Sequence, residues 1–326
     1  MTFCNRWIGW LTLALILAPA PALALVVALT NDDGWDSPGI QALRAALEGA
    51  GHTVTLAAPL DEQSGSSAAG NFVSDLVITK QSPNEFSVAL AGGTEGAEPA
   101  TSSLIAIGIA REANGGVNPD VLISGINAGA NIGAAAQLSG TVGSTIVALA
   151  NGLNGTVPGI GISTDEPCDV DDPPGGDLAA CEAVNAAHYA DVAAFLVDFV
   201  AHLETKPGAL SGEPGLLPPG VGLNINHPPL SPGEIEGVRL TRQGRTLVLG
   251  GVPLNLDFVC FACAVIPVGA SSPGGIGGAD FDPTPDVADS DSEAFNAGYI
   301  AVVPIEPDYT SAKHHKFESV IELYNQ

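Results

Sequence analysis

Residues 25–43 read Leu25-Val26-Val27-Ala28-Leu29-Thr30-Asn31-Asp32-Asp33-Gly34-Trp35-Asp36-Ser37-Pro38-Gly39-Ile40-Gln41-Ala42-Leu43. The apolar run that opens this stretch reads as a strand buried on both faces. It ends in a polar loop with two adjacent carboxylates. Ser37-Pro38 then marks a helix start, a cap-type residue followed by proline at the first helical position. Ile40, Leu43 and Leu47 fall on one face of that helix, and Gly49 and Gly51 stop it. A buried strand running through a polar loop into an amphipathic helix begins an α/β arrangement with a parallel sheet.

The alternation continues outward. Residues 52–58 read as a second strand and 59–70 as a loop rich in Ser and Gly. A helix is expected around 101–110, a third strand at 120–124, a helix at 141–153 and a strand at 159–163. Right-handed crossovers join strands of this kind, and ligands sit beyond their carboxyl ends. The loops after the first three strands should therefore meet. Further on, residues 185–203 read as a helix with Val192, Phe195, Leu196, Phe199 and Val200 on its apolar face, and 222–226 as a strand returning to the core. Short β signals follow Pro228. The Gly/Asp-rich residues 269–291 read as a surface excursion, and 295–304 as a further strand.

Composition bounds the function. Of 326 residues, 36 are acidic and 10 basic, a formal charge of −26. Ten cations cannot form a phosphate-tracking stripe against such a field, so a nucleic-acid duplex is excluded as a partner. The same field repels free anions, so phosphate chemistry here needs a local cation. With 46% hydrophobic residues and only 14% charged, the chain is expected to fold around a sizeable core.

Residues 1–24 have the layout of a secretory signal peptide. Arg6 precedes an apolar run from Trp7 to Leu17, and Ala22-Leu23-Ala24 offers a cleavage site. An uncleaved anchor is the rival reading, since the segment is long enough to span a bilayer. Cleavage after Ala24 removes Arg6 and Cys4, leaves four cysteines, and implies an exported protein, periplasmic or secreted, with no stable membrane association. Four cysteines in an exported chain suggest disulfides, with local pairing of Cys168 with Cys181 and of Cys260 with Cys263 preferred among three connectivities. Cys260-Phe261-Ala262-Cys263 also has the spacing of a redox motif, but it sits between apolar β-like stretches rather than at a helix start.

Four loops carry the chemistry. Asp32 and Asp33 at a strand end cost repulsion and desolvation unless a cation neutralises them, although Asn, Asp and Gly also make an ordinary turn. Gln63-Ser64-Gly65-Ser66-Ser67 offers hydroxyls and free amides of the kind that hold oxyanions. The loop from Ser124 to Gly133 offers the Asn127 carbonyl oxygen and glycines that allow close approach. Ser139-Gly140-Thr141 opens a helix, where free amides favour an anion and where the same residues serve equally as a cap.

Together these loops resemble the SurE family, the stationary-phase survival proteins, which are metal-dependent nucleotide phosphatases. The matching segments are TNDDG from Thr30, PGIQAL from Pro38, GHTVTLAAP from Gly51, QSGSS from Gln63, PDVLISGINAGANIG from Pro119 and SGTVGS from Ser139. LNINHP from Leu223, TRQGR from Thr241 and AGYIAVVPIEPDYT from Ala297 extend the resemblance over nearly the whole chain after residue 24. It implies a Rossmann-like three-layer sandwich with a mostly parallel sheet, in which residues 25–228 form the phosphatase core. Residues 229–326 would complete the same domain and supply a β-rich arm for a homodimer or homotetramer. Asp32, Asp33, Ser64 and Asn127 match the family's metal ligands, all hard oxygens suited to Mg²⁺ or Mn²⁺. Asn31, Gly65, Ser66, Asn131, Ser139, Gly140 and Thr141 would surround the substrate phosphate. The implied substrates are nucleoside 5′- and 3′-monophosphates. Asp32 and Asp33 are the catalytic candidates, with Asp32 either holding and deprotonating a water or attacking directly.

Some segments depart from the family pattern. Residues 133–138 lack the acidic and aromatic residues usual before SGT, and 92–103, with Glu95 and Glu98, is an altered and longer version of a short family stretch. A degenerate protein that binds metal or nucleotide without turnover is the alternative reading. A serine hydrolase is set aside, since no G-x-S-x-G occurs. His188 and His202, on the expected helix, are placed far from these loops. Arg242 and Arg245 are assigned to the arm in preference to the substrate.

Overall fold

The apolar run forms the first strand, β1 (Val26–Thr30), buried along nearly all of its length. The structure, a computed structural model, describes residues 24–150, 156–205, 216–249, 252–260, 274–280 and 286–308; in 247–249, 252–260 and 274–280 the backbone alone is described. All but the last residue of the expected leader, and Cys263 of the second expected disulfide, lie outside the described residues. After β1 come α1 (Pro38–Gly49), β2 (Thr53–Pro59), β3 (Leu76–Ser82), β4 (Glu85–Leu90), α2 (Pro99–Ala113) and β5 (Val121–Ala128). A short 3-10 turn (Ala134–Gln137) leads to α3 (Gly140–Leu149), β6 (Gly159–Thr164), α4 (Leu178–Thr205) and β7 (Gly222–His227). The remaining elements are β8 (Gly237–Leu240), β9 (Leu247–Leu249), β10 (Val252–Cys260), β11 (Gly274–Asp280), α5 (Asp291–Asn296) and β12 (Tyr299–Ile305).

Nine strands form one sheet in the order β3-β4-β2-β1-β5-β6-β7-β12-β8. From β4 to β7 all neighbours are parallel; β3 and β12 run antiparallel to β4 and β7. The chain builds to one side of β1 through β2 and β4, then returns to its other side with β5. That reversal opens a crevice beyond the carboxyl ends of β1 and β5. The register pairs Thr30 with Ser124, so the residues that follow both strands emerge side by side. A separate antiparallel sheet, β11-β10-β9, forms the β-rich arm.

Strand alternation divides the core into two layers. Val27 and Leu29 of β1 face Leu43 and Leu47 of α1 and Val192 and Leu196 of α4. Ala28, Ala57 and Leu122 point the other way, into the layer that holds Ile107 of α2 and Ala148 of α3. Each fully buried Leu or Ile contributes roughly 1.5–3 kcal/mol. The small residues on the second face let its helices sit close. A Cβ on Gly159 of β6 would come 2.8 Å from the Thr145 carbonyl oxygen of α3.

Several boundaries differ from the sequence reading. The hairpin β3–β4 is additional; its turn is Pro83-Asn84, with Asn84 at φ 58°. α4 starts at Leu178, seven residues before the expected 185, because Asp177 accepts the Ala180 N–H and Cys181 is fixed by its disulfide to Cys168, with Cα atoms 5.4 Å apart. α3 ends at Leu149, since Ala150 is extended. Phe295 belongs to α5, and the last strand begins only after Gly298 turns the chain at φ 83°. Residues 269–291 are no simple surface excursion: β11 lies within them and Asp291 is wholly buried.

His52 has the structural role expected of it, its Nδ1 accepting the Leu25 N–H at 3.2 Å. His188 does not lie apart from the loops. It is buried, with Nε2 2.7 Å from the Thr164 hydroxyl at the end of β6 and its ring edge-on to His227. Burial lowers the pKa of His227 to about 4 and also lowers that of His188.

Candidate active site

The site begins where β1 ends. Asn31 donates from Nδ2 to the Gly34 carbonyl and the Ser37 hydroxyl, both at 2.8 Å, which folds the loop back on α1. Asp32 is 2% exposed. Its carboxylate accepts the Thr141 backbone N–H at 3.1 Å and the Thr141 hydroxyl. That amide belongs to the first turn of α3, where backbone donors have no helical acceptor and the helix dipole favours negative charge. Ser139 caps the same turn, its hydroxyl oxygen accepting the Val142 N–H at 3.1 Å. α3 can approach this closely because residue 140 is glycine: a Cβ there would lie 2.9 Å from Asp32 Oδ2.

Asp33 is half-buried and accepts the Ala128 N–H at 3.2 Å, which ties it to the end of β5. Asn127 precedes that amide and is 6% exposed. Its Nδ2 donates to the Gly129 carbonyl at 2.6 Å, while its Oδ1 is buried with no donor among the described residues. The serine loop closes the third side. Gln63 N–H donates to the Asp32 carbonyl at 2.8 Å, Ser64 N–H to Glu62 at 2.7 Å, and Ser67 N–H to the Leu138 carbonyl at 3.1 Å. The loops after β1, β2 and β5 thus meet as the sequence reading expects, and the start of α3 joins them. Ser64 and Gly65 are exposed, and the Ser66 hydroxyl is buried without a partner among the described residues.

Asn131 stands slightly apart. Its backbone N–H donates to Asn226 Oδ1 at 2.7 Å and its Nδ2 to Ser163 Oγ at 2.8 Å. This places it in an amide network with β6 and β7.

The electrostatics of the pair are unbalanced. Burial, then the charge of Asp32, then those of Glu62 and Glu166 hold the Asp33 carboxyl well above the usual carboxylate range. The Asp32 carboxyl is also raised, by burial first, with the Thr141 hydrogen bonds opposing and Glu62 adding. No Lys, Arg or His figures among the groups that shift either one. The sequence alone does not single out Glu62 and Glu166. Each neighbours a residue that was readable, Glu62 the serine loop and Glu166 the end of β6, but only the fold shows that both charges reach Asp33.

A divalent cation fits this arrangement. Two carboxylates that repel each other need a counter-charge, and the Asn127 oxygen is a buried acceptor lacking a donor. Among the described residues no group of three or more His, Cys, Asp or Glu side chains gathers.

The family model described as "Survival protein SurE" matches residues 27–248. The chain belongs to the SurE family. It is 33% identical over 219 residues to the 5'-nucleotidase SurE of Rubrobacter xylanophilus, covering 67% of this chain and 72% of that protein. It is 30% identical over 289 residues to the 5'-nucleotidase SurE of Gloeobacter violaceus, covering 87% and 90%. The crystal structure of the SurE protein from Aquifex aeolicus superposes with a TM-score of 0.66 at 25% identity, over 92% of this chain and 99% of that one. The SurE fold is therefore shared.

Proposed function

We propose that this SurE-family protein is a metal-dependent phosphatase that hydrolyses nucleoside 5′-monophosphates, with 3′-monophosphates as further substrates. The observation that carries the reading is the Asp32–Asp33 pair, set between the amide end of α3 and the unpartnered Asn127 oxygen. Asp32, Asp33, Ser64 and Asn127 would hold Mg²⁺ or Mn²⁺. Bound there, such an ion polarises a phosphoryl oxygen and lowers the pKa of a bound water. The chain's own groups do the rest. Thr141 fixes the Asp32 carboxylate through both its donors, which leaves Asp32 oriented to hold a water or take its proton. The amides around Gly65 and Gly140 would take up the charge that spreads over the phosphoryl oxygens. Names of relatives and the chemistry of the donor set support the substrate class.

Phosphate release from a panel of nucleoside monophosphates, with Mg²⁺, Mn²⁺ or excess chelator, tests this. Release with metal and none in chelator is expected. If the protein binds nucleotide and metal but releases no phosphate from any member of the panel, it is a binding protein and the reading fails.

Export is part of the same proposal: residues 1–24 are removed and the remainder works in an oxidising compartment, which suits the Cys168–Cys181 disulfide. Intact-mass measurement on protein from its native compartment should give a chain beginning at Leu25 with that pair oxidised. A mass that includes Met1, or free thiols at both positions, contradicts it.

A further inference from the structure

Asp291 is fully buried and lies in no segment that the sequence reading assigned to the site. It opens α5, yet that helix does not need it as a cap, since the Ser290 hydroxyl oxygen already accepts the Glu293 N–H at 3.1 Å. The Asp291 carboxylate turns instead to distant segments. It accepts the Gly244 N–H at 2.8 Å and the Gly133 N–H at 3.1 Å, besides the neighbouring Ser292 N–H at 2.8 Å. Backbone bonds reinforce the junction: Asp291 N–H to the Arg242 carbonyl at 2.8 Å and Arg242 N–H to the Asp289 carbonyl at 2.9 Å. Gln243 Nε2 donates to the Gly133 carbonyl at 3.0 Å. Contact is close enough that a Cβ on Gly133 would lie 2.1 Å from the Thr246 carbonyl oxygen.

The two segments gathered by Asp291 are walls of one cavity. Its volume is about 820 Å³, and Gln137, which follows the Gly133 turn, lines it together with Arg242 and Gln243. Ser67 and Gly143 line its other side. Ser67 closes the serine loop, and Gly143 lies about one helical turn beyond Gly140, so the cavity adjoins two of the segments that carry the site. Ser67 also bonds to this wall, its hydroxyl donating to the Gln137 carbonyl at 2.9 Å. Arg242 is the one Lys or Arg among the described lining residues, which also include Glu306 and Asp308. A cavity of this size suits a drug-sized organic group.

We propose that Asp291 is a positioning residue for the leaving-group side of the reaction: it fixes the walls that carry Gln137, Arg242 and Gln243, and the cavity they form receives the organic group esterified to the phosphate. The inference rests on the phosphatase reading and goes beyond the groups that surround the phosphate. Arg242 then serves the substrate rather than the arm.

The test compares two substrates with the same phosphate and different leaving groups, a nucleoside 5′-monophosphate and p-nitrophenyl phosphate. Asp291→Asn is expected to lose at least ten-fold more kcat/KM toward the nucleotide than toward the aryl phosphate, with the loss in KM. Arg242→Ala, which leaves the buried junction intact, is expected to shift the nucleotide KM in the same direction and decides the matter if Asp291→Asn does not fold. Equal losses on both substrates in folded Asp291→Asn, or an unchanged nucleotide KM in Arg242→Ala, overturn the proposal while the phosphatase reading stands. A wild-type protein inactive on both substrates removes that reading and this inference with it.

Discussion

Asp33→Asn is expected to abolish phosphate release, by roughly 10³-fold or more, while the metal-free fold becomes as stable as wild type or more so. A loss of that size corresponds to about 4 kcal/mol of transition-state stabilisation. Asn keeps an oxygen to accept the Ala128 N–H, so the contact to β5 survives. What disappears is one of two adjoining negative charges, and with it much of the attraction for a divalent ion. The stability sign follows from the raised carboxyl. Without metal, the Asp33 carboxyl ionises less readily in the fold than in the unfolded chain, because of burial and of Asp32, Glu62 and Glu166. The penalty therefore starts near the unfolded pKa of about 3.9 and grows until the folded pKa is passed, staying constant above it. In chelator the variant should gain stability over wild type at neutral pH and gain none near pH 3. Added Mg²⁺ or Mn²⁺ should raise the Tm of wild type and barely move that of the variant. Phosphate-release rates and thermal scans with and without metal check both halves. Wild-type turnover by the variant, or activity persisting in excess chelator, would sink the metal mechanism.

The parts of this site that the sequence reveals are those built from short segments. The apolar run of β1 and its Asp32-Asp33 loop, the Ser64 loop and the Gly140 helix start each announce themselves within a few residues. The topology does the rest, because a parallel sheet with a reversal beside β1 leaves those loops nowhere else to go. The parts that escape depend on distance in the chain. Asp291 meets Gly133 across 158 positions, and no local pattern marks an aspartate whose partners are backbone amides elsewhere. Glu62 and Glu166 look like solvated acids until the fold brings both near Asp33. His188 reads as one more helix residue, and only the packing of α4 on the sheet puts it beside Thr164. The β3–β4 hairpin escapes for another reason. β3 is an edge strand exposed along most of its length, so it lacks the alternation that identifies half-buried strands.

Gly143→Ala is expected to cost roughly 100-fold in kcat/KM, about 2.7 kcal/mol, although alanine is the better helix former at an interior helical position. Taken alone, α3 should gain about 1 kcal/mol from the change. The neighbouring loop reverses that advantage. A Cβ on Gly143 would come 2.0 Å from the Ser67 carbonyl oxygen, 2.3 Å from the Ser67 carbonyl carbon and 2.6 Å from the Ala68 nitrogen. These are backbone atoms, and no side chain can swing aside to relieve the contact. The loop is also tied down, by Ser67 N–H to the Leu138 carbonyl and by Gln63 N–H to the Asp32 carbonyl. Either α3 moves away from Asp32 or the serine loop moves away from α3. The first pulls Thr141 off the Asp32 carboxylate and the second separates Ser64 from the carboxylate pair, so the metal-induced rise in Tm should shrink along with activity. Gly108→Ala in α2 is the control, because residue 108 is exposed and a Cβ there meets nothing within 4 Å. It should keep wild-type kinetics and gain up to about 1 kcal/mol of stability. Wild-type kinetics in Gly143→Ala would mean that the serine loop yields freely, and Ser64 would then lose its place among the groups that hold the ion.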